Sequence, residues 1–260
     1  MKINANGISF NYQIDGREGA PWLIFSNSLM TSLAMWDDQA AALKDNYRIL
    51  RYDQRGHGET EATDGKYTFD TLTADAIALM DALSIKRAHF AGISMGGMTA
   101  LFLAQRHADR FDRIIACDCG PASTPVSAQQ WKERIEVAAD KGMEGLVEVT
   151  VNRWFPPDFV ASKAQVLDKV RAMIRSTPVK GFTGCAQALS DYDLRPGLPG
   201  ISRPTLCIVG TKDATLAGME QINASVPGSR LVKLEGAGHL SNLEQPAAFT
   251  KAISDFLKAA

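Results

Sequence analysis

The chain has 260 residues, of which 45% are hydrophobic and 22% charged, and its formal net charge is −1. This composition is typical of a globular protein and excludes disordered, collagen-like and coiled-coil chains. Because there is no basic excess, we expect neither a nucleic-acid partner nor an acidic membrane surface. Four scattered cysteines are too few for a disulfide framework, and no Cys or His pair has the spacing of metal ligands, so we expect no metal site.

The N-terminal segment MKINANGISFNYQIDGRE lacks the apolar core and the cleavage site of a signal peptide. No apolar run approaches the roughly 20 residues that span a bilayer. We therefore expect a soluble, cytoplasmic protein that is a monomer or a weak homo-oligomer.

Short apolar segments alternate with helical patterns along much of the chain. Residues 8–14 alternate between polar and apolar side chains, which predicts an edge strand. Five segments are short and apolar, as in strands buried on both faces: 22–25, 47–52, 88–93, 114–117 and 205–209. Helical periodicity is found at 69–83, 98–108 and 246–257. Strands that alternate with helices predict an α/β protein with a mostly parallel, doubly wound sheet.

This alternation stops between about residues 121 and 195. The stretch has helical patterns at 129–141, 145–153 and 161–176, prolines at 156–157 and 178, and no strand pattern. Loop-like segments, GPASTP and DLRPGLPGISRP, flank it. We therefore predict an α/β core formed by residues 1–120 and 196–260, with a helical cap or lid inserted at 121–195. The alternative is a set of ordinary helices of the α/β fold.

Residues 92–97 read GISMGG and lie between a predicted strand and a predicted helix. The pattern G-x-S-x-G in this context predicts a nucleophile elbow, with Ser94 as the nucleophile. Glycines are needed two residues to either side because the strand and the helix pack too closely there for side chains. A chance match has a probability of roughly one in ten from composition, and the context lowers it several-fold.

A serine hydroxyl needs a base to act as a nucleophile, and the chain has four histidines. His57 lies too early for the chain order serine, acid, histidine. His89 lies on the strand before the elbow, where we expect a hydrogen-bonded core residue, and His107 ends a helix. His239 lies in a glycine-rich loop between a strand and the last helix, where the base of such a site belongs. Elimination and position therefore favour His239.

The third catalytic group has to orient the imidazole and stabilise its cation. Asp213 follows the predicted strand 205–209 and precedes His239 in the chain. Ligand sites of open α/β sheets gather at such carboxyl ends of strands. Asp118, at the end of an earlier strand, is the alternative. We predict that Asp213 completes a triad with Ser94 and His239.

An oxyanion hole needs two backbone N–H groups. One is that of Met95, which follows the nucleophile directly. The other is expected from the loop after the strand 22–25, where residues 26–29 read SNSL.

These motifs resemble those of the α/β-hydrolase superfamily over the whole chain and, within it, those of the 3-oxoadipate enol-lactonases. The superfamily signals are DQRGHG at 53–58, GISMG at 92–96 and GH at 238–239. The signals of the enol-lactonases are FSNSL at 25–29 with MW at 35–36, SMGGM at 94–98, RWF at 153–155 and HLSNLEQP at 239–246. Two departures are Met30, where we would expect glycine, and the lack of a proline-rich run after Asp213.

Many relatives have His-Gly at the positions of Asn27 and Ser28, with a tryptophan nine residues after the histidine. Trp36 keeps this spacing. The register implies that the N–H group of Leu29 is the second oxyanion donor, with that of Ser28 as the alternative.

The resemblance implies an α/β-hydrolase fold with a helical cap inserted after strand 6. It also implies hydrolysis of the enol-lactone of 3-oxoadipate, in the β-ketoadipate pathway of aromatic breakdown, through an acyl-enzyme and without a metal or organic cofactor. Such a substrate is a small anionic lactone, so the pocket should hold a cation or several dipoles for its carboxylate. Candidate substrate contacts are Ser28, Trp131, Arg134, Arg153 and Trp154, with Lys132 as a further candidate cation. For each of these candidates that lies in the insertion, the alternative is a purely structural position, either on a solvent-exposed helix face or in the core of the insertion.

Two other functions remain open from the sequence. A broad carboxylesterase or a lactonase for neutral lactones, with a perhydrolase side activity, would differ only in the polarity of its pocket. A ligand-binding α/β-hydrolase without turnover often lacks a triad residue, whereas this chain has Ser94, Asp213 and His239.

Overall fold

An eight-stranded sheet forms the centre of the molecule, and the structure, a computed structural model, describes residues 1–259. The strands are β1 (Lys2–Ala5), β2 (Ile8–Asp15), β3 (Trp22–Ser26), β4 (Arg48–Tyr52), β5 (Ala88–Ile93), β6 (Phe111–Cys117), β7 (Thr205–Gly210) and β8 (Arg230–Leu234). Their order in the sheet is β1-β2-β4-β3-β5-β6-β7-β8. The β1–β2 and β2–β4 pairs are antiparallel and the rest are parallel, so the predicted mostly parallel sheet is confirmed.

Helices connect and cover these strands. They are α1 (Asp37–Leu43), α2 (Phe69–Ala82), α3 (Met95–Arg106), α4 (Pro125–Lys141), α5 (Val147–Trp154), α6 (Pro157–Ser162), α7 (Ala164–Ser176), α8 (Val179–Ser190), α9 (Leu216–Ser225), α10 (Ser241–Glu244) and α11 (Pro246–Lys258). Strand β7 is buried at all of its positions, as its continuous apolar sequence predicts for a strand covered on both faces. None of the helices in residues 1–259 is long and apolar enough to cross a bilayer.

The prediction of an edge strand at residues 8–14 is wrong. Strand β2 lies between β1 and β4, and the edge is the four-residue strand β1. The turn between β1 and β2 is Asn6-Gly7, and both residues have positive φ angles, 43° and 76°. Asn-Gly is a strong signal for a two-residue hairpin turn, so this dipeptide could have located the missing strand.

Several helix boundaries differ from the periodicity. Helix α3 begins at Met95, directly after Ser94, rather than at residue 98, because the elbow turns straight into the helix. The pattern over 161–176 covers two helices, α6 and α7, which are separated at Lys163. Helices α1, α8, α9 and α10 were not predicted.

Five helices, α4 to α8, lie between β6 and β7, and we call them the cap helices. Helix α4 packs against α8, and α5 packs against α7. The chain thus inserts helices after the sixth strand, as expected of the fold. They face the carboxyl end of the sheet, because Gly181 of α8 contacts Gly56 in the loop after β4.

Candidate active site

Ser94 lies at the sharp turn between β5 and α3. Its φ of 55° and ψ of −116° are unusual for a residue with a side chain. A Cβ atom on Gly92 would overlap the Gly96 carbonyl, and one on Gly96 would overlap the carbonyl of Ser26. The two glycines are therefore required by close backbone approach, and they bring the start of α3 against the loop that follows β3.

Three polar side chains from different elements meet at this turn. The Oγ atom of Ser94 lies 3.0 Å from Nε2 of His239, and Nδ1 of His239 lies 3.0 Å from Oδ2 of Asp213. Ser94 and Asp213 are each 9% exposed. The arrangement joins a hydroxyl, an imidazole and a carboxylate in series, which is the geometry in which an imidazole can take a proton from a serine.

The environment of Asp213 favours its charged form. Burial raises the pKa of its carboxyl group, but His239 and hydrogen bonds from His239 and Thr215 outweigh burial, so the pKa lies below its ordinary value. Thr215 donates to the carboxylate through both its hydroxyl and its backbone N–H. A carboxylate held ionised in this way can orient the imidazole and stabilise its cation.

The alternative acid, Asp118, has a different set of partners. It is fully buried after β6 and accepts hydrogen bonds from the Gly210 N–H, at 2.9 Å, and from the Ser241 hydroxyl, at 2.5 Å. Burial, with a smaller effect from the nearby Asp213 charge, raises its pKa well above the ordinary value. It is therefore Asp213 whose carboxylate contacts His239, while Asp118 links the end of β7 to α10.

The loop that carries His239 is held from two sides. The Gly238 N–H donates to both carboxylate oxygens of Glu244, at 2.8 and 2.9 Å. The His239 N–H donates to the carbonyl of Trp154, at the end of α5, at 2.7 Å. Burial raises the pKa of Glu244 to about 7. Glu244 was not predicted as a site residue, although it lies within the HLSNLEQP signal.

Backbone N–H groups next to Ser94 are available to an oxyanion. Met95 is the first residue of α3, a position whose N–H has no acceptor within the helix. In the loop after β3, the Ser28 N–H contacts Sδ of Met35 at 3.4 Å, and the Met30 N–H donates to His57. The Leu29 N–H has no acceptor within residues 1–259, so it is the free donor between two engaged neighbours.

A cavity of about 300 Å³ opens in front of Ser94, between the carboxyl end of the sheet and the cap helices. Ser94, His239 and Leu29 line it. All five predicted substrate contacts line it as well: Ser28, Trp131, Arg134, Arg153 and Trp154. Lys132, the further candidate cation, is exposed and is not among the lining residues. It lies on a different side of helix α4 from Trp131 and Arg134, because successive residues of a helix point in different directions.

The two arginines of the cavity share one aromatic ring. The guanidinium carbons of Arg134 and Arg153 lie 4.7 and 5.9 Å from the centre of the Trp131 ring. Within residues 1–259 neither arginine forms an ion pair. Arg153 lines the cavity and is exposed, yet partial desolvation lowers its pKa, while the negative charge of Asp213 acts in the opposite direction. The cavity therefore carries two guanidinium groups, neither of which is engaged in an ion pair.

The expectation for His89 is modified. His89 is half-buried, and its Nδ1 atom has no hydrogen-bond partner within the described part of the chain, so it is not the fully hydrogen-bonded core residue that was expected. Across residues 1–259, no three His, Cys, Asp or Glu side chains are grouped so that they could hold a metal ion.

This fold and this site define an α/β hydrolase. Residues 21–246 match the family described as alpha/beta hydrolase fold, and the chain belongs to it. Within the family it resembles the enol-lactonases. It is 37% identical to 3-oxoadipate enol-lactonase 2 of Acinetobacter baylyi, over 98% of this chain and 96% of the relative.

Solved structures agree with this placement. The enol-lactonase of Burkholderia xenovorans LB400 is 42% identical and superposes with a TM-score of 0.96, over the whole of both chains. A thermophilic esterase of Thermogutta terrifontis, solved with malate bound, is 28% identical with a TM-score of 0.93, over 99% of this chain and 97% of the esterase. The protein is thus an enol-lactonase-like ester hydrolase.

Proposed function

We propose that the protein opens the enol-lactone of 3-oxoadipate, with Ser94 as the nucleophile, His239 as the base and Asp213 as the group that orients the imidazole. The observation that carries the proposal is the hydrogen-bonded series of Ser94, His239 and Asp213 at the base of a cavity with unpaired arginines. The identity of 37% to 3-oxoadipate enol-lactonase 2 supports the choice of substrate.

The first half of the proposed reaction acylates Ser94. His239 takes the proton of the Ser94 hydroxyl as Oγ attacks the lactone carbonyl. The N–H groups of Leu29 and Met95 donate to the oxyanion that forms, which lowers the barrier because charge develops where the donors already point. When the ring C–O bond breaks, His239 returns the proton to the leaving enol oxygen. The enol then tautomerises to the ketone, which makes ring opening effectively irreversible.

Release of the acyl group uses the same residues. His239 takes a proton from a water molecule, whose oxygen attacks the ester carbonyl of the acylated Ser94. The second tetrahedral intermediate collapses as His239 protonates Oγ of Ser94. The net reaction converts the lactone and one water molecule into 3-oxoadipate. No step requires a metal or an organic cofactor.

We assign the carboxylate of the substrate to Arg134 and Arg153, which are here called the cationic wall of the cavity. Arg134 and Arg153 are free to form charge-assisted hydrogen bonds with it, which are about twice as strong as neutral ones. Both guanidinium groups lie over the ring of Trp131. With this substrate, the protein would act in the β-ketoadipate pathway of aromatic breakdown.

Residues 121–195 would then form a functional cap over the core formed by residues 1–120 and 196–260.

A broad carboxylesterase is the second candidate function, because the chain is also 28% identical to the esterase solved with malate. Both functions would use the same triad, but only hydrolysis of the anionic enol-lactone would require the arginines, which bind its carboxylate. Values of kcat/KM are to be compared for the enol-lactone and for p-nitrophenyl acetate, with Ser94→Ala as the control for background hydrolysis. A higher kcat/KM for the enol-lactone is expected, and a higher value for the neutral ester would favour the carboxylesterase.

A further inference from the structure

The loop that carries Leu29 adopts a conformation that its own sequence does not favour. Residues 27–32, here called the oxyanion loop, contain Met30 with a φ of 59°. Side chains other than glycine rarely occupy this left-handed region. Such a residue keeps its conformation only where the surroundings impose it, so the cause has to lie outside the oxyanion loop.

A buried histidine from a second loop contacts this residue. Residues 53–58, here called the support loop, place the fully buried His57 so that its Nε2 atom accepts the Met30 N–H at 2.9 Å. Because Nε2 is the acceptor, the ring proton has to lie on Nδ1, which is 3.1 Å from the carbonyl of Arg55 and donates to it. Burial lowers the pKa of His57 to about 4, so the neutral ring that this geometry needs is present at neutral pH.

The two loops are joined at a second point. The Gln54 N–H donates to the side-chain oxygen of Asn27 at 2.9 Å, and the Gln54 side-chain amide donates to the Asn27 carbonyl at 2.5 Å. The Asn27 amide in turn donates to the carbonyl of Ser28 at 2.8 Å. The peptide groups on both sides of the Leu29 N–H are thus tied to fixed partners, while that N–H stays free.

The support loop is itself firmly anchored. The guanidinium of Arg55 forms a buried ion pair with Asp75 at 2.5 Å. On the opposite side, Gly56 lies in direct backbone contact with Gly181 of α8, so close that neither position has room for a Cβ atom. A rigid support loop can hold the oxyanion loop in place, whereas a mobile one could not.

We propose that His57 is a positioning residue of the oxyanion hole: by accepting the Met30 N–H, it keeps the Leu29 N–H directed at the carbonyl oxygen of an ester bound to Ser94. The proposal rests on the proposed function only in taking Ser94 as the nucleophile and Leu29 as a donor. It does not depend on which ester is the natural substrate.

Two variants of His57 test this role with p-nitrophenyl acetate as the substrate. His57→Leu has a similar volume but no acceptor, and His57→Gln has a side-chain carbonyl that can replace Nε2. Loss of an oxyanion donor costs about 10²- to 10³-fold in kcat, and displacement should cost less, so we expect His57→Leu to lower kcat about ten- to hundred-fold. KM should change less than about three-fold, and His57→Gln should recover most of the loss.

A transition-state analogue separates positioning from stability. A trifluoromethyl ketone forms a hemiketal with Ser94 whose oxyanion needs the same donors, so its affinity should fall in His57→Leu by the factor seen in kcat. His89→Leu, which removes a half-buried imidazole away from both loops, is the matched control and should leave kcat and ketone affinity unchanged. If His57→Leu does not fold, His57→Asn, which is too short to reach Met30, carries the same expectation.

Unchanged kcat and ketone affinity in a folded His57→Leu would overturn the proposal. Equal losses in His57→Leu and His57→Gln would also overturn it, because they would indicate a purely structural histidine. Failure of the proposed function gives a different result: Ser94→Ala would then keep its esterase activity, or the wild-type protein would hydrolyse the neutral ester but not the enol-lactone.

Discussion

The indole ring of Trp154 is stacked on the imidazole of His239, with ring centres 6.0 Å apart and planes inclined by 29°. The same two residues share a backbone hydrogen bond of 2.7 Å from the His239 N–H to the Trp154 carbonyl. A cap helix therefore contacts the proposed base through both its side chain and its main chain. The position of the cap helices and the orientation of the imidazole are thus physically linked.

Removal of the Trp154 ring tests this link. Trp154 is only 6% exposed, so Trp154→Ala should lower the free energy of unfolding by about 3–5 kcal/mol. It should also lower kcat, because the imidazole loses the surface that limits its rotation. Trp154→Phe keeps an aromatic face and should lose less in both respects. Urea unfolding and steady-state kinetics measure the two effects, and a wild-type kcat in Trp154→Ala would contradict the link.

The identity of the acid is tested by two isosteric variants. Asp213→Asn should lower kcat by about 10⁴-fold, because an amide cannot stabilise the imidazolium and can fix the wrong tautomer. Asp118→Asn should retain activity within about ten-fold, since the Asp118 carboxyl group contacts the Gly210 N–H and the Ser241 hydroxyl rather than His239. The test is kcat at neutral pH for both variants, with folding checked by circular dichroism. The opposite ranking would move the acid to Asp118.

The cationic wall predicts a dependence on substrate charge. Arg153→Gln should lower kcat/KM for the anionic enol-lactone about ten- to hundred-fold, the range expected for one hydrogen bond to a charged group. The value for p-nitrophenyl acetate should change little. Arg134→Gln should behave similarly, and Lys132→Gln, an exposed position on the same helix, is the matched control. Equal losses on both substrates would indicate that the arginines shape the cavity rather than bind a carboxylate.

The raised pKa of Glu244 predicts how the free energy of unfolding depends on pH. Its pKa is about 7 in the folded protein, above the ordinary value of 4.5, so the folded state binds this proton more tightly than the unfolded chain does. Its contribution to the free energy of unfolding is therefore complete below about pH 4.5 and is lost as the pH rises to about 7. Glu244→Gln keeps an acceptor for the Gly238 N–H but cannot ionise.

Unfolding in urea at several pH values from 4.5 to 7.5 measures this difference. The stability of the wild-type protein relative to Glu244→Gln should decline across this range. Glu235→Gln, at an exposed position before the same loop, should show a constant difference from wild type. If Glu244→Gln also shows a constant difference, the carboxyl group is not protonated in the folded protein.

The sequence by itself determined what depends on local chemistry. The glycines beside Ser94 are dictated by a turn of six residues, so the elbow is readable without the rest of the fold. The buried parallel strands were predicted because their apolar runs are continuous. Chain order and loop composition were enough to select His239 from four histidines. The resemblance to the enol-lactonases likewise depends on short contiguous motifs.

Only the tertiary structure decided what depends on residues far apart in the chain. Asp118 and Asp213 both follow strands, and the structure alone shows which carboxylate contacts His239. The same holds for the oxyanion loop, where His57 was set aside because its chain position is wrong for a catalytic base. Its partner Met30 lies 27 residues away, and a sequence pattern carries no record of a hydrogen bond between two loops. The free Leu29 N–H is a backbone group that every sequence would supply, so its availability depends on how its neighbours are engaged in three dimensions.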